Sequence, residues 1–450
     1  MRTLRALRIA WVFLTRVALR CRRASLGRAL RSAFQELGVT FVKFGQLLSG
    51  RYDVLPESDL RELRTLLDNV NPLPDATMLA IVREELGAKA DELRDMRVLA
   101  SASISQAYAA TLRGKSVVVK VLRPGIGDRV ETDLVILYRL ARVAEFFIRS
   151  LKRLEVSKMI LEMRDWMRQE IDFTVELRNM EQFRFHLAST FSGGKIRADL
   201  GRMVVPLTYP DFSTKRVLVM EKLEGLTVSA WMRGERPDNL EAYEPQKSLL
   251  TFFVGSLRPL FHGHGAPFHG DPHPANTMLL PHGDVGLIDF GLMGQYDEAT
   301  IRSANRLFFA IFFQNASMAT DALIRFAKIP RRYREELLPS MEEYLEGSLD
   351  GGFAEWMQGV AGILVEHKIP GSLALPLMIK FVLLVDSMAH EFFPGQSTRD
   401  LLGSELESGA MTCMMRNVVG ARFDSGLLAL LYALSEKFAE GPRGWGKIFG

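Results

Sequence analysis

Cysteine is almost missing from this chain: Cys21 and Cys413 are the two in 450 residues. Two thiols cannot build a disulfide framework or, by themselves, a zinc site, and such scarcity fits a reducing compartment. Long apolar runs are missing too. "LFFAIFF", "FVLLV" and "GLLALLYAL" fall far short of the roughly 18 consecutive apolar residues a spanning helix needs, so no transmembrane segment is expected. The first 31 residues contain no acid and no lysine, yet they hold nine arginines. The net charge of +4 therefore hides a body near −5 behind a basic arm, which argues against a nucleic-acid-binding surface spread over the whole protein.

At about 100° per residue, Leu4, Leu7, Trp11, Leu14 and Ala18 fall on one side of an amino-terminal helix, and Arg2, Arg5, Arg16, Arg20 and Arg23 on the other. Two readings stay open: docking on an anionic lipid surface, or packing on the protein's own body. "IAWVFL" is broken by Arg16 and is poor as a secretory core, while an Arg-rich, acid-free segment also fits a mitochondrial presequence as a lesser alternative.

What is present has a clear order. Residues 26 to 70 read as amphipathic helices ending at the proline-containing "NVNPLPD", and 76 to 95 as another helix. "SISQAYAATL" and "SVVVKVLRP" are β-rich runs around "RGK", a hairpin signal. A helical stretch over about 128 to 190 follows, then "RMVVPLTY" and "KRVLVMEKLEG" return to strand character and close a small sheet. Beyond "GERPDN" the chain is mostly helical. The expectation is an α+β, bilobal, protein-kinase-like fold. It divides into a basic amphipathic arm (1–32), a helical extension (33–96), a small β-rich N-lobe with a helical insertion (97–226) and a helical C-lobe (227–450).

The chemistry concentrates in "HGDPHPANTMLLPHGDVGLIDFG", residues 269–291. Asn276 lies five residues after Asp271 and thirteen before Asp289, with a strand signal in "VGLID". Magnesium takes oxygen ligands and usually binds through one or two carboxylates plus substrate phosphates. Asn276 and Asp289, joined by the turn in "PHGD", supply such oxygens, and Asp271 is placed to orient or deprotonate a nucleophile. This is the spacing of phosphoryl transfer, in which positioning and charge neutralisation do most of the catalysis. His269, His273 and His282 read as structural loop histidines. Lys120 sits mid-strand in "SVVVKVL" with apolar neighbours, an expensive place for an ammonium without a partner, and Glu176 is its natural partner. Where a glycine-rich loop should cover phosphates, the chain has "LASASISQAY", whose Ala102 permits close backbone approach and whose Ser101, Ser103 and Ser105 can donate hydroxyls.

Taken together these motifs resemble the UbiB/AarF/ADCK family of atypical kinase-like proteins, linked to isoprenoid-quinone (ubiquinone) biosynthesis and lipid homeostasis. "FVKFGQLLSGRYDVLP" carries the family's K-x-G-Q signature as Lys43, Gly45 and Gln46, followed by Ser49, Arg51, Asp53, Leu55 and Pro56. "QEIDF" matches its E-x-D pair as Glu170 and Asp172, and "ASASISQ" its alanine-rich loop. The resemblance implies that Lys43 and Gln46 reach toward a nucleotide cleft, that Glu170 and Asp172 hold the extension there, and that the backbone of Glu221 and Lys222 in "MEKLEG" contacts adenine. On one continuous helix Glu170 and Glu176 would point to different sides, at about 100° per residue. Ser101 and Ser105 depart from the family's alanine-rich pattern, and Asp95 matches only loosely the aspartate expected before that loop.

Two features argue against a protein substrate: Gly270 replaces the arginine that precedes the catalytic aspartate of many regulated kinases, and "LMGQYDEAT" leads straight into a helix with no A-P-E. The expected protein binds ATP and Mg2+ and acts as an ATPase or small-molecule kinase supporting quinone biosynthesis. It would sit in the cytoplasm, peripherally on the inner membrane, with a lipid or quinone-pathway intermediate and quinone-biosynthesis enzymes as partners. The alternatives are a phosphotransferase of the aminoglycoside or choline kinase type, and a nucleotide-gated lipid-binding module with little turnover.

Overall fold

The computed structural model describes residues 2–18, 25–49, 55–66, 71–147, 149, 152, 155–190, 199–262, 267–270, 272–295, 297–312, 314–347, 353–367, 369, 374–396 and 401. Arg20, Cys21, Arg23, Arg51, Asp53, Asp271 and Cys413 lie outside the described residues.

The chain opens with α1 (Arg2–Val12), continued by a π-helical turn (Phe13–Ala18), then α2 (Leu26–Leu37), α3 (Val39–Leu48), α4 (Glu57–Arg64) and α5 (Asp75–Leu86). An antiparallel sheet follows from β1 (Leu93–Ser101), β2 (Ser105–Leu112) and β3 (Lys115–Leu122). Three helices come next: α6 (Ile126–Phe147), α7 (Val156–Glu170) and α8 (Phe173–Thr190). β4 (Met203–Val204) precedes β5 (Val217–Glu221), which completes the first sheet in the order β1-β2-β3-β5. Four short strands, β6 (Leu226–Thr227), β7 (Pro267–His269), β8 (Thr277–Leu279) and β9 (Val285–Leu287), and a fifth, β10 (Met293–Gln295), frame the acidic loop. Between β6 and β7 lie α9 (Val228–Met232) and α10 (Pro245–His262); α11 (Glu298–Phe312) to α15 (Ala374–Phe392) build the helical remainder.

Local chemistry explains the first sheet. The β2–β3 turn holds Arg113 at φ 50° and Gly114 at φ 78°, the two positive angles that match a two-residue turn to strand twist. On β3, Val117, Val119 and Val121 are fully buried and pack with Met78, Ile81 and Val82 of α5 on one face. The period of two then turns Val118, Lys120 and Leu122 to the opposite face, where Val118 and Leu122 join the core containing Phe173, Met180 and Phe290. Lys120 is thereby aimed at the space between the lobes.

The helical extension has its own core. Phe34, Phe41, Phe44, Leu48 and Leu63 pack with Ile136, Leu137, Ile160 and Met163 of α6 and α7. The α2–α3 packing is tight at Gly45, where a Cβ would run into Leu66 Cδ1 and lie 2.6 Å from Phe34 Cδ2. Gly45→Ala is expected to lower stability by about 1–3 kcal/mol through overpacking. Hydrogen exchange should localise the loss, with α2–α4 amides losing protection while the β1-β2-β3-β5 sheet keeps its own.

Several elements differ from the sequence reading. The helix over 76 to 95 stops at Leu86, because Gly87 takes φ 55° and a 3-10 turn (Gly87–Glu92) leads into β1 at Leu93. β1 is exposed along most of its length and is interrupted by bulges, with Asp95 at φ 55°, so it has no alternation to read. The stretch 128 to 190 is three helices, broken at Ile171–Asp172 between α7 and α8. "RMVVPLTY" is divided: Met203–Val204 pairs in parallel with Val285–Gly286 in a second sheet, order β4-β9-β8-β6, while its end meets β5 of the first sheet through an antiparallel bridge between Thr208 and Met220. Among the described residues no helix is long and apolar enough to cross a membrane.

Candidate functional site

The β8–β9 hairpin assembles the loop. Its turn places His282 at φ 63° and Gly283 at φ 80°, and the pairing Thr277↔Leu287 sets Asn276 at one strand's start beside the other's end. Ile288 N–H donates to the Asn276 carbonyl at 3.1 Å, so Asn276 and Asp289 leave neighbouring strand ends together. β7 and β10 pair next to them, and Gly270 N–H donates to the Leu292 carbonyl at 2.9 Å. His269 is 2 % exposed, its Nε2 lies 2.6 Å from the Asp289 carbonyl, and its ring meets Phe290 edge-on. It braces the loop, as a structural histidine should.

Lys120 Nζ lies 2.7 Å from Glu176 Oε1 and 3.1 Å from the Ile288 carbonyl, and the two side chains are 14 % and 5 % exposed. The same Glu176 oxygen accepts from Phe290 N–H at 3.2 Å. One carboxylate thus ties the sheet lysine, α8 and the backbone after Asp289 into a single junction. Burial pushes the Lys120 ammonium down, but Glu176, Asp289 and Glu170 outweigh it and its pKa is raised. Burial, with the nearby Asp289, pushes the Glu176 carboxyl up, against the pull of Lys120. For Asp289, burial also works against ionisation, yet Lys120, the Gly291 N–H, Lys43 and His269 together hold it at about 2. Asp289 Oδ1 accepts that Gly291 N–H at 3.0 Å.

The extension reaches the same place. Lys43 Nζ is 3.1 Å from Glu170 Oε2, with side chains 15 % and 14 % exposed. A Cβ on Gly291 would sit 3.3 Å from Asp289 Oδ1 and 3.7 Å from Glu170 Oε2, so Gly291 lies between the two carboxylates. Glu170 and Glu176 serve different lysines because they end α7 and begin α8, not because they occupy two sides of one helix. Asp172 sits at the break, where its Oδ1 accepts from Thr174 N–H at 3.1 Å and Thr174 Oγ1 at 2.6 Å. Among the described residues it caps α8 and touches none of the extension. Gln46 likewise stays within the extension, donating from Nε2 to the Leu66 carbonyl at 3.2 Å.

The loop between β1 and β2 is held by Arg123. Its Nε donates to the Ala102 carbonyl at 2.9 Å and its Nη2 to Ser101 Oγ at 2.7 Å, while Ala102 N–H closes the turn on the Ser105 carbonyl at 2.9 Å. Ser103 is 1 % exposed. At the strand end, Glu221 N–H donates to the Leu207 carbonyl at 2.7 Å and Lys222 N–H to Ser116 at 3.1 Å. Both donors are taken, which leaves carbonyls and the residues that follow to meet a base. Sequence reasoning overlooked Arg123 and Asn179, whose Nδ2 donates to the Phe290 carbonyl at 2.9 Å. The signal for Asn179 was its place three residues after Glu176, on the same helical face.

Asp289, ionised and beside a lysine, and Asn276, with an amide oxygen, are the donor types magnesium takes, with phosphates to complete the shell. Among the described residues no three His, Cys, Asp or Glu side chains converge to hold a metal on their own.

An ABC1 atypical kinase-like domain matches residues 65–323, more than half of the chain, taking in Lys120, Glu170, Glu176, Asn276 and Asp289 but not Lys43 and Gln46 of α3. The chain belongs to this family. Within it, the chain is 35 % identical over 302 residues to an uncharacterised protein of Mycobacterium tuberculosis, a match covering 66 % of this chain and 59 % of that one. It is 36 % identical over 261 residues to "Probable protein kinase UbiB" of Pseudomonas entomophila, covering 57 % and 45 %. The match thus spans roughly half the length of these relatives. Among solved structures, a Mycobacterium tuberculosis protein in complex with erythromycin aligns with TM-score 0.42 at 20 % identity, over 78 % of this chain and 91 % of that one.

Proposed function

We propose that this ABC1-family protein binds ATP with Mg2+ and either hydrolyses it or transfers its terminal phosphoryl group to a small, lipid-like acceptor, at a membrane surface and in support of quinone biosynthesis. The observation that carries the reading is the Lys120–Glu176–Phe290 junction with Asp289 held ionised beside it. Lys120 is placed to neutralise phosphate oxygens, and Glu176 keeps it aimed. Asn276 and Asp289 would hold the metal, which when bound draws charge from the phosphates and fixes their geometry. Asp271 takes the proton of the attacking hydroxyl or water as the new O–P bond forms and the bond to the leaving ADP oxygen breaks. The loop of Ala102, Ser103 and Ser105 would cover the phosphates, and the Glu221–Lys222 segment would border the base.

The Lys43–Glu170 contact beside Gly291 supports a small acceptor over a peptide, because it brings α3 up to the backbone just after Asp289 and would leave less room there for a docked chain. So does the path after Gly291, which runs through β10 directly into α11. The quinone role rests on the resemblance to UbiB proteins, and the same resemblance suggests peripheral attachment to the cytoplasmic face of the inner membrane. The test is phosphate release from ATP with and without Mg2+, followed by incubation with γ-labelled ATP and a lipid extract of a quinone-producing host. Mg-dependent release is expected, with label in the organic phase if transfer occurs. Absence of any Mg-dependent release or transfer sinks the reading.

A further inference from the structure

α1 presents to solvent the face a soluble helix hides. Leu4, Leu7 and Trp11 are 73 %, 67 % and 65 % exposed, and Leu14, one residue into the π-helical turn, is 51 % exposed. The opposite face, which carries Arg5 and Arg16, is turned inward. Ile9 and Val12 are 0 % and 1 % exposed, within the core that also contains Phe34 and Phe41. Arg5 clasps Asp133 with Nε and Nη2, both at 2.7 Å, and Nη2 also donates to the Leu37 carbonyl at 2.9 Å. Asp133 is 1 % exposed. Further along, Arg16 Nε lies 2.7 Å from Glu36 Oε2.

Rotating α1 to cover its leucines would uncover Ile9 and Val12 and strand a buried carboxylate without its guanidinium, which is strongly unfavourable. The exposed stripe is thus fixed by its own back face. The contacts make the two readings of the arm compatible: the helix packs on the protein through the side that carries Arg5 and Arg16, and it still leaves a continuous apolar stripe outward.

We infer that the Leu4–Leu7–Trp11–Leu14 face of α1 is the surface by which this protein enters an anionic lipid bilayer, lying parallel to the membrane plane. This rests on the membrane part of the proposed function and is independent of phosphoryl transfer. Charge selects the occupant. The first acid in the sequence is Glu36, and the arm before it carries nine arginines and no lysine. A second copy of the chain would bring this basic arm against itself, whereas anionic headgroups complement it. A tryptophan among leucines suits the boundary between headgroup and acyl chain.

The test is co-sedimentation of the full chain, without nucleotide, on phosphatidylcholine vesicles with and without phosphatidylglycerol. The wild type should bind the anionic vesicles and bind the neutral ones weakly. A Leu7→Asp/Trp11→Asp variant should lose about tenfold or more in vesicle affinity, while its melting temperature and its ATP turnover without vesicles stay unchanged. Unchanged vesicle binding by that variant, or no binding by the wild type, overturns the proposal. A photo-crosslinker at Trp11 separates the occupants: adducts to lipid support it, and adducts to a second chain or to residues 402–450 overturn it. Because the binding is read without ATP, a failure of the phosphoryl-transfer reading leaves this result standing, and the reverse holds too.

Discussion

Replacing Asp289 with asparagine should leave the protein folded and lower Mg-dependent ATP turnover by about 10²–10³-fold, the usual cost of removing one preorganised group that stabilises developing charge. The fold survives because asparagine keeps an Oδ1 to accept the Gly291 N–H, now at 3.0 Å to the carboxylate. What disappears is the negative charge facing the metal and Lys120. Nucleotide binding without magnesium should persist in Asp289→Asn, measured by fluorescent-nucleotide titration, while the magnesium enhancement expected of the wild type is lost. Wild-type pH dependence follows from the same residue. Its carboxyl is depressed from 3.8 to about 2, so its contribution to stability is complete above 3.8 and is lost as pH falls through about 2. Lys120 is raised above 10.5 and keeps its charge below that. Neither group should therefore produce a step in the turnover profile between about pH 5 and 9. A turnover rate in Asp289→Asn equal to the wild type would remove Asp289 from the chemistry.

The residues that converge at this site were readable where chemistry and period agreed. Lys120 among valines announces a partner, because an isolated ammonium among apolar side chains is too costly, and the β2–β3 turn was written in "RGK". The hairpin joining Asn276 to Asp289 was equally plain, since "PHGD" separates two short apolar runs. Long-range geometry was not readable. The break between Glu170 and Glu176 depends on Asp172 capping α8 while Phe173 N–H turns to the Lys215 carbonyl at 3.0 Å, a contact forty-two residues away in the chain. β1 escaped because an exposed strand has no buried face to impose alternation. On the arm, the helical wheel sets Leu4, Leu7, Trp11 and Leu14 apart from Arg5 and Arg16, as the structure does, and leaves open which side faces the protein, because only the partners Asp133 and Glu36 decide that, and they belong to other helices. Gln46 lies one turn from Lys43, yet Leu66 captures its amide.

Glu176→Ala should destabilise the protein by about 3–5 kcal/mol, since it leaves Lys120 charged, buried and without its nearest counter-ion. Against a total folding stability of about 5–15 kcal/mol, that is enough to be seen as a large fall in urea midpoint. The same change also removes the acceptor of Phe290 N–H, so the backbone after Asp289 loosens and turnover should be abolished even in the fraction that remains folded. A double variant, Lys120→Met with Glu176→Leu, separates the two effects. Replacing a buried ion pair by apolar groups of similar volume is often neutral or stabilising, so the double variant should recover most of the stability that Glu176→Ala loses. It should recover none of the activity, because no cation then faces the phosphates. The coupling between the two positions, read from the four urea curves of Lys120→Met, Glu176→Leu, the double variant and the wild type, should be at least about 1 kcal/mol for residues in direct contact. Additive effects would mean that the 2.7 Å pair does not couple β3 to α8. Full activity in the double variant would mean that the lysine is structural and that phosphate charge is neutralised elsewhere.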